Sequence, residues 1–350
     1  MEQLFWPIIK IFILTTISFA VAGSLAPVLT HFLYKYKLGK AIRSADSAPI
    51  FNKFHQAKAG TPTMGGIVIW GTVIVLAIVL FYLSKYVHIE LFYNLNFLSR
   101  AQTFLPLGAL LAAALVGLVD DVFNVKKVGP KGGGLRMKHK LLLYFIIALI
   151  GAWWFYFKLD WDLLYVPFLG NVSIGWWYIP LFVFIIFATS FSVNETDGLD
   201  GLAAGVLIPS FLSFGAIAFL QGKYDLATFC GVLIGALLAF LWFNIPPARF
   251  FMGDTGSMAL GVTLGILAML TNTVFILPLL GIVLVLESLS VIIQVISKKL
   301  RHKKVFLSAP IHHHLEAKGW PESKIVMRFW VVSSVFAVVG FIIFLFDFYV

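Results

Sequence analysis

Long apolar runs recur along the whole chain, and no other feature of the sequence constrains its fold as strongly. A helix needs about 20 apolar residues to cross a bilayer, and about ten runs approach that length. Continuous runs exclude a transmembrane barrel, whose strands alternate apolar and polar residues. The sequence therefore predicts an all-α integral membrane protein with about ten transmembrane helices, near residues 8–33, 65–83, 103–119, 141–157, 174–191, 202–220, 226–243, 257–270, 274–297 and 327–346.

Basic residues are distributed unevenly among the predicted connections. Of the 26 Lys and Arg residues, 21 follow the first, third, seventh and ninth runs. Because basic loops stay in the cytoplasm, this pattern predicts that both termini lie outside it. The first run carries Lys10 internally and continues to Leu33, so we expect an uncleaved span rather than a signal peptide.

Residues 193–203 place an unusual amount of charge between two apolar runs. Asn194, Glu195, Asp197 and Asp200 all fall within this stretch. A charge deep in a bilayer costs roughly 2.5–3.5 kcal/mol even on lenient scales, so such residues mark a site or a pathway. A polar turn capped by Asn194 is the alternative, but a turn needs fewer acids than this one has. The stretch therefore predicts a functional site.

Two further acidic positions fall on the same predicted side of the membrane. Asp120 and Asp121 close the third run, and adjacent carboxylates repel each other unless a cation or a proton intervenes. Magnesium commonly takes one or two carboxylates together with substrate phosphates. Asp254 follows Gly253 just before the eighth run, which suits either an anion-plus-metal site or a simple helix cap.

Bases and histidines complete the polar clusters of this side. Lys58 precedes a glycine-rich entry to the second run, and Lys140 ends a basic loop. The three consecutive histidines at 312–314 favour phosphate binding or acid–base chemistry, because zinc ligands are usually spaced. Glu287 lies inside the ninth run and is interpreted as an interhelical polar contact.

Taken together, these clusters resemble those of the polyprenyl-phosphate N-acetylhexosamine-1-phosphate transferase superfamily over essentially the whole chain. The histidine motif at 309–314, followed by Lys-Gly-Trp-Pro-Glu at 318–322, is similar to the phospho-N-acetylmuramoyl-pentapeptide transferase branch. Glu195 departs from the branch, which commonly has an apolar residue there. The resemblance implies a single polytopic transferase domain over residues 1–350, with active-site loops on the cytoplasmic face of the bacterial cytoplasmic (inner) membrane.

The resemblance also implies the reaction and its partners. Undecaprenyl phosphate attacks UDP-N-acetylmuramoyl-pentapeptide, giving lipid I and UMP in peptidoglycan biosynthesis, with Mg²⁺ as cofactor. A homodimer embedded in membrane lipid, without a nucleic-acid partner, is expected. Transfer of this kind needs positioning and charge neutralisation more than covalent chemistry from the protein.

Residue roles follow from the resemblance by motif position. Asp254 corresponds to the magnesium ligand, and Asp120, with Asp121 beside it, to the base that frees the lipid phosphate. The other positions divide into a nucleoside pocket (Lys58, Asn194, Asp200, Gly201, Leu202, Asn244 and Phe251), contacts to the diphosphate or nucleotide (His312 and His313) and supporting positions (Thr63, Lys140 and Asp197).

The sequence leaves alternatives open for both the mechanism and the function. An aspartate acting as covalent nucleophile would replace direct attack by the lipid phosphate. An N-acetylglucosamine-1-phosphate transferase is the competing enzyme. An ion-coupled carrier would also use intramembrane acids, but it predicts helices broken at mid-membrane and inverted repeats, for which the sequence gives no sign.

Overall fold

A computed structural model describes residues 2–39, 58, 60–129 and 133–349. The basic loop residues Lys40, Arg43, Lys53 and Lys131, and Ala59 beside Lys58, lie outside the described residues. The helices run in chain order as α1 Glu2–Lys35, α2 Gly66–Tyr86, α3 Glu90–Leu95, α4 Phe104–Val125, α5 Met137–Trp153, α6 Tyr178–Thr196, α7 Leu202–Leu220, α8 Tyr224–Asn244, α9 Asp254–Leu270, α10 Leu277–Leu280, α11 Ile282–Arg301, α12 Ile311–Ala317 and α13 Glu322–Tyr349.

Within the described residues, eight helices are long and apolar enough to cross a membrane: α1, α2, α4, α5 with its π-helical continuation Trp154–Lys158, α6, α7, α8 and α13. This confirms an integral membrane protein built from α-helices. Helix α9 has only 17 residues, a length of about 25 Å at 1.5 Å per residue. The count of ten spans stays a prediction.

The ninth apolar run differs from the expected single helix. Pro278 lies in the first turn of the short α10, and the chain leaves helical geometry at Gly281 before α11 begins. The prediction of one continuous helix over 274–297 was therefore wrong, because the run is divided at Gly281. Helix α11 turns the polar side chains of Glu287 and Gln294 inward and exposes leucines and isoleucines such as Leu286 outward. An apolar outer face with a polar inner face suits a helix bordered by lipid.

The chain also contains a small β-hairpin, which the predicted all-α fold did not include. Strands β1 (Leu163–Val166) and β2 (Gly170–Ser173) pair antiparallel between α5 and α6, with Leu164 opposite Val172. The connection uses positive φ at Phe168 and Gly170, which a tight reversal requires. The hairpin lies at the end of the bundle away from the polar clusters.

Close helix packing brings the polar clusters to one end of the bundle. Helix α8 packs against α1, α2 and α7, while α9 packs against α4 and α6. Small residues permit this approach: a Cβ on Gly235 would lie 2.2 Å from the Thr15 carbonyl, and one on Gly261 would lie 2.6 Å from the Ser190 backbone. Helices α2, α5, α7, α9 and α13 begin at this end, and α4, α6 and α8 end there.

Candidate active site

Two carboxylates from different helices converge on one ammonium group. Lys140 Nζ, at the start of α5, bonds Asp120 Oδ2 at 3.1 Å and also bonds Asp254 Oδ2. Asp120 and Asp254 are only 4% and 8% exposed. Buried carboxylates this close repel each other, and the lysine between them offsets that repulsion. We call Asp120, Asp254 and Lys140 the acid centre.

Neighbouring amides hold the two carboxylates of the acid centre in place. Asn194 Nδ2, from the end of α6, donates to Asp254 Oδ1 at 3.0 Å. Asp120 Oδ1 accepts the Leu135 N–H at 2.6 Å, and its Oδ2 accepts from Asn124 Nδ2 at 3.2 Å. The first bond ties the end of α6 to the start of α9, whereas the other two fix Asp120 from within α4 and from the loop before α5. Their geometry therefore depends on three helices at once.

Asp121 is adjacent to Asp120 in sequence but bonds a different group. Its Oδ2 accepts the Thr255 N–H at 3.0 Å in the first turn of α9, and the side chain is fully buried. Gly253, at φ +74°, makes the approach possible, because a Cβ there would lie 2.5 Å from Asp121 Oδ2 and 2.6 Å from Thr63 Oγ1. Asp121 thus holds the backbone that presents Asp254, and Thr63 packs beside it at Gly253.

Backbone hydrogen bonds join this region to the entry of α2. The N–H of Phe251 donates to the Pro62 carbonyl at 2.8 Å. In return, the N–H groups of Gly65 and Gly66 donate to the carbonyls of Phe251 and Met252 at 2.8 and 2.9 Å. We call this pairing of 62–66 with 251–252 the main-chain clasp. The ring of Phe251 is half-buried beside it.

A second group of charges lies at the turn before α7. Lys58 Nζ bonds Asp200 Oδ1 at 2.7 Å and Glu322 Oε1 at 2.6 Å. Glu322 Oε1 also accepts the Asp200 N–H at 2.8 Å, and Asp200 Oδ2 accepts the Ala248 N–H at 3.1 Å. We call Lys58, Asp200 and Glu322 the lysine centre.

The backbone beside the lysine centre is held from α8 and α13. Gly201, at φ +78°, donates its N–H to Asn244 Oδ1 at 2.9 Å, while its carbonyl accepts from Trp330 Nε1 at 3.1 Å. Asn244 Nδ2 donates to the Phe250 carbonyl at 2.8 Å. Leu202 is fully buried, so its side chain belongs to the core of the bundle.

Two of the three consecutive histidines pair with glutamates. His312 Nδ1 lies 2.9 Å from Glu287 Oε2, and both side chains are fully buried. His313 Nδ1 lies 2.6 Å from Glu316 Oε2. Burial is the largest single influence and lowers the pKa of His312, but the charge and hydrogen bond of Glu287, together with the charges of Glu316 and Glu195, outweigh it, so the pKa lies above its ordinary value. A Cβ on Gly198 would lie 2.3 Å from His312 Nε2, which places this histidine beside the turn that carries Asp200.

The structure thus divides the predicted site residues into connected groups. Asp120, Asp254, Asn194 and Lys140 meet directly, whereas Asp200 belongs to the lysine centre. Asp197 is half-buried at the end of α6. Sequence reasoning missed Glu322, although it ends the motif at 318–322. It recognised the interhelical contact of Glu287 but not its histidine partner, which only the placement of α12 reveals.

Comparison with known proteins agrees with this arrangement. The family described as "Glycosyl transferase family 4" matches residues 103–272, a range that includes both carboxylates of the acid centre. A charged site at one end of a bundle of apolar helices, together with this match, defines a membrane-embedded glycosyl-phosphate transferase. Residues 58–69 match "Phospho-N-acetylmuramoyl-pentapeptide-transferase signature 1".

Relatives extend the similarity over nearly the full length. A phospho-N-acetylmuramoyl-pentapeptide-transferase of Clostridium perfringens (strain 13 / Type A) is 40% identical, over 95% of this chain and 98% of the relative. Proteins with the same name from Geobacillus sp. (strain WCH70) and Bartonella quintana (strain Toulouse) are 38% and 42% identical, over 93% and 82% of this chain and 94% and 80% of theirs. The chain belongs to the phospho-N-acetylmuramoyl-pentapeptide-transferase family.

Proposed function

We propose that the protein transfers phospho-N-acetylmuramoyl-pentapeptide from its UDP-linked form to undecaprenyl phosphate, releasing UMP and giving lipid I for peptidoglycan synthesis. The observation that carries the proposal is the acid centre, in which buried Asp120 and Asp254 converge on Lys140 at one end of an apolar bundle. Such a site lets a lipid phosphate and a soluble nucleotide meet at a membrane edge. Membership of the family supports the choice of substrates.

Asp120 and Lys140 suit the attack step. Asp120 takes the proton from the lipid phosphate, and the freed phosphate oxygen attacks the sugar-linked phosphorus of the donor. The bond from that phosphorus to the oxygen of UMP breaks, so one P–O bond forms as another is lost. Lys140 offsets negative charge at the reacting phosphates, which is the main requirement of phosphoryl transfer.

The donor atoms of the acid centre fit magnesium. Asp120 and Asp254 offer hard carboxylate oxygens, and magnesium needs only one or two of these together with substrate phosphates. Among the described residues, no three His, Cys, Asp or Glu side chains form a metal cage by themselves, and magnesium does not require one. Asp254, held by Asn194, would hold the ion, with Asp120 as its neighbour. When bound, the ion supplies neutralising charge to the diphosphate.

The lysine centre suits the nucleoside half of the donor. Lys58 bonds Asp200, and the next residue, Gly201, donates its N–H to Asn244. Half-buried Phe251 offers an aromatic face for the uracil ring. His312 and His313 are proposed contacts to the diphosphate or nucleotide. Asp121, buried against the α9 backbone, is proposed to position Asp254, which favours direct attack over a covalent role for Asp121.

We place this site on the cytoplasmic face of the bacterial inner membrane, with residues 1–350 acting as a single transferase domain within a homodimer. The bias of basic residues toward connections at the site end supports this orientation. A carrier is disfavoured, because carriers bind near the middle of the bilayer. Here the clustered acids lie at helix ends, and the break at Gly281 is separate from them.

The test is a reconstituted reaction. Purified protein is incubated with magnesium, undecaprenyl phosphate and either UDP-N-acetylmuramoyl-pentapeptide or UDP-N-acetylglucosamine, and UMP release is followed. We expect release with the muramoyl donor alone. Release with N-acetylglucosamine alone would support the competing transferase, and silence with both donors would refute the proposal.

A further inference from the structure

Glu322 is the first residue of α13, and its side chain reaches two residues that are distant in sequence. Its Oε1 lies 2.6 Å from Lys58 Nζ and accepts the Asp200 N–H at 2.8 Å. The partners are 264 and 122 residues away along the chain. Nothing in the local structure of a helix start requires either contact. Glu322 therefore links the last long helix directly to the proposed nucleoside site.

The lysine centre has a definite donor and acceptor arrangement. An ammonium group has three N–H donors, and two of those on Lys58 are engaged by Asp200 and Glu322. Asp200 is fixed in turn, because its Oδ2 accepts the Ala248 N–H. One lysine and two carboxylates give a formal charge of −1. This charge suits a neutral ring carrying N–H and C=O groups better than it suits a phosphate.

We infer that Glu322 is a positioning residue for the nucleoside half of the donor, acting through Lys58 and Asp200. It orients the third N–H of Lys58 and holds the Asp200 carboxylate before the UDP-linked substrate binds. This lowers the entropic cost of ordering these side chains on binding. The inference rests on the proposed function. The acid centre is built from other residues, so Glu322 affects donor affinity and leaves the chemical step and the lipid acceptor unaffected.

The test uses the full-length E322A and E322Q variants. Steady-state kinetics give kcat and a separate KM for donor and for undecaprenyl phosphate, and calorimetry gives the Kd of UMP. We expect E322A to raise donor KM and UMP Kd about tenfold or more, the usual effect of losing a charge-assisted contact, with kcat and acceptor KM within about twofold. E322Q keeps an acceptor oxygen and should show a smaller increase.

The same helix provides a matched control. Asp347, at the other end of α13, also accepts a backbone N–H, that of Phe168 at 2.7 Å. D347N should leave both KM values unchanged. A second variant tests the route: because Glu322 acts through Lys58 and Asp200, K58A/E322A should weaken UMP binding by less than the two single changes combined, since coupled residues are not additive.

Two results would overturn the inference. One is a folded E322A protein with unchanged donor KM and UMP Kd. The other is an equal change in kcat and in both KM values with a lowered Tm, which is what a purely structural contact produces. Failure of the proposed function would look different, because the unmodified protein would then release no UMP. Calorimetry would in that case still compare the UMP Kd of the variants with that of the unmodified protein.

Discussion

His312 Nδ1 lies 2.9 Å from Glu287 Oε2, and both side chains have no exposed surface. The two residues belong to different helices, so the pair joins α11 to α12. Burial lowers the pKa of His312, while Glu287, helped by Glu316 and Glu195, raises it above the ordinary 6.5. The folded protein therefore holds this proton more tightly than the unfolded chain does.

We expect E287Q to remove a pH-dependent part of the stability. A raised histidine pKa stabilises the fold fully below about pH 6.5, and the contribution is lost as pH rises through the folded pKa. The stability difference between wild type and E287Q should therefore be largest near pH 6, on the order of 1–3 kcal/mol, and should shrink toward pH 9. Thermal unfolding in detergent across this range measures it.

His314 provides the control for that pH series. Burial and the nearby Lys318 lower the pKa of His314, so its titration falls below 6.5. H314Q should leave the pH dependence of the stability above pH 6.5 the same as in wild type. A difference between wild type and E287Q that stays constant with pH would contradict the assignment of the titration to His312.

Replacing either carboxylate of the acid centre should stop transfer. D120N and D254N keep the side-chain shape but remove the charge that Lys140 and the proposed magnesium ion require. We expect UMP release to fall on the order of 1000-fold or more, with a normal gel-filtration profile. Near-normal turnover in either variant would refute the role given to that residue.

Removing Lys140 should make stability depend on magnesium. K140M leaves two buried carboxylates without their shared cation, a change that costs about 3–5 kcal/mol in comparable buried pairs. Added Mg²⁺ should then raise Tm more in K140M than in wild type, because binding to the folded state stabilises it. Exposed Lys138 lies on the same helix, and K138M should respond as wild type does. Equal magnesium shifts in all three proteins would count against a metal at this centre.

Gly253 and Gly222 have nearly equal φ, and comparing alanine variants of the two distinguishes the effect of backbone strain from the effect of contacts at the site. Gly253 (φ +74°) faces Asp121 and Thr63, whereas a Cβ on Gly222 (φ +72°) would meet nothing within 4 Å. G222A should lose about 1–2 kcal/mol of stability and keep its activity. G253A should lose activity as well, because the added methyl displaces the start of α9. Similar UMP release by the two variants would show that Gly253 is only a strained turn.

The spanning helices were predictable, because apolar length and periodicity are local properties of the chain. The acids at 120, 254 and 194–200 were recognisable for a related reason: charge at the edge of an apolar run is costly unless it is used. The break at Gly281 was missed, since an apolar run continues through Pro278 and conceals it.

Long-range partners were beyond sequence reasoning. Glu322 contacts Lys58 across 264 residues, and Glu287 meets His312 only because α12 folds back onto α11. The order of the motifs suggested that these segments share a site, but it gave no distances between their residues. The separation into an acid centre and a lysine centre follows from helix packing, which a single sequence does not encode in any local pattern.

The main-chain clasp between 62–66 and 251–252 consists of amide and carbonyl groups rather than side chains. Every residue type except proline carries both groups, but a Cβ on Gly65 would lie 2.8 Å from the Phe251 carbonyl oxygen and one on Gly66 would lie 2.3 Å from Gly256 Cα, so a side chain at either glycine would force the two segments apart. The clasp therefore brings the entry of α2 against the segment that presents Asp254 only because residues 65 and 66 are small. The position of the proposed magnesium ligand is thus set in part by two residues that carry no side chain.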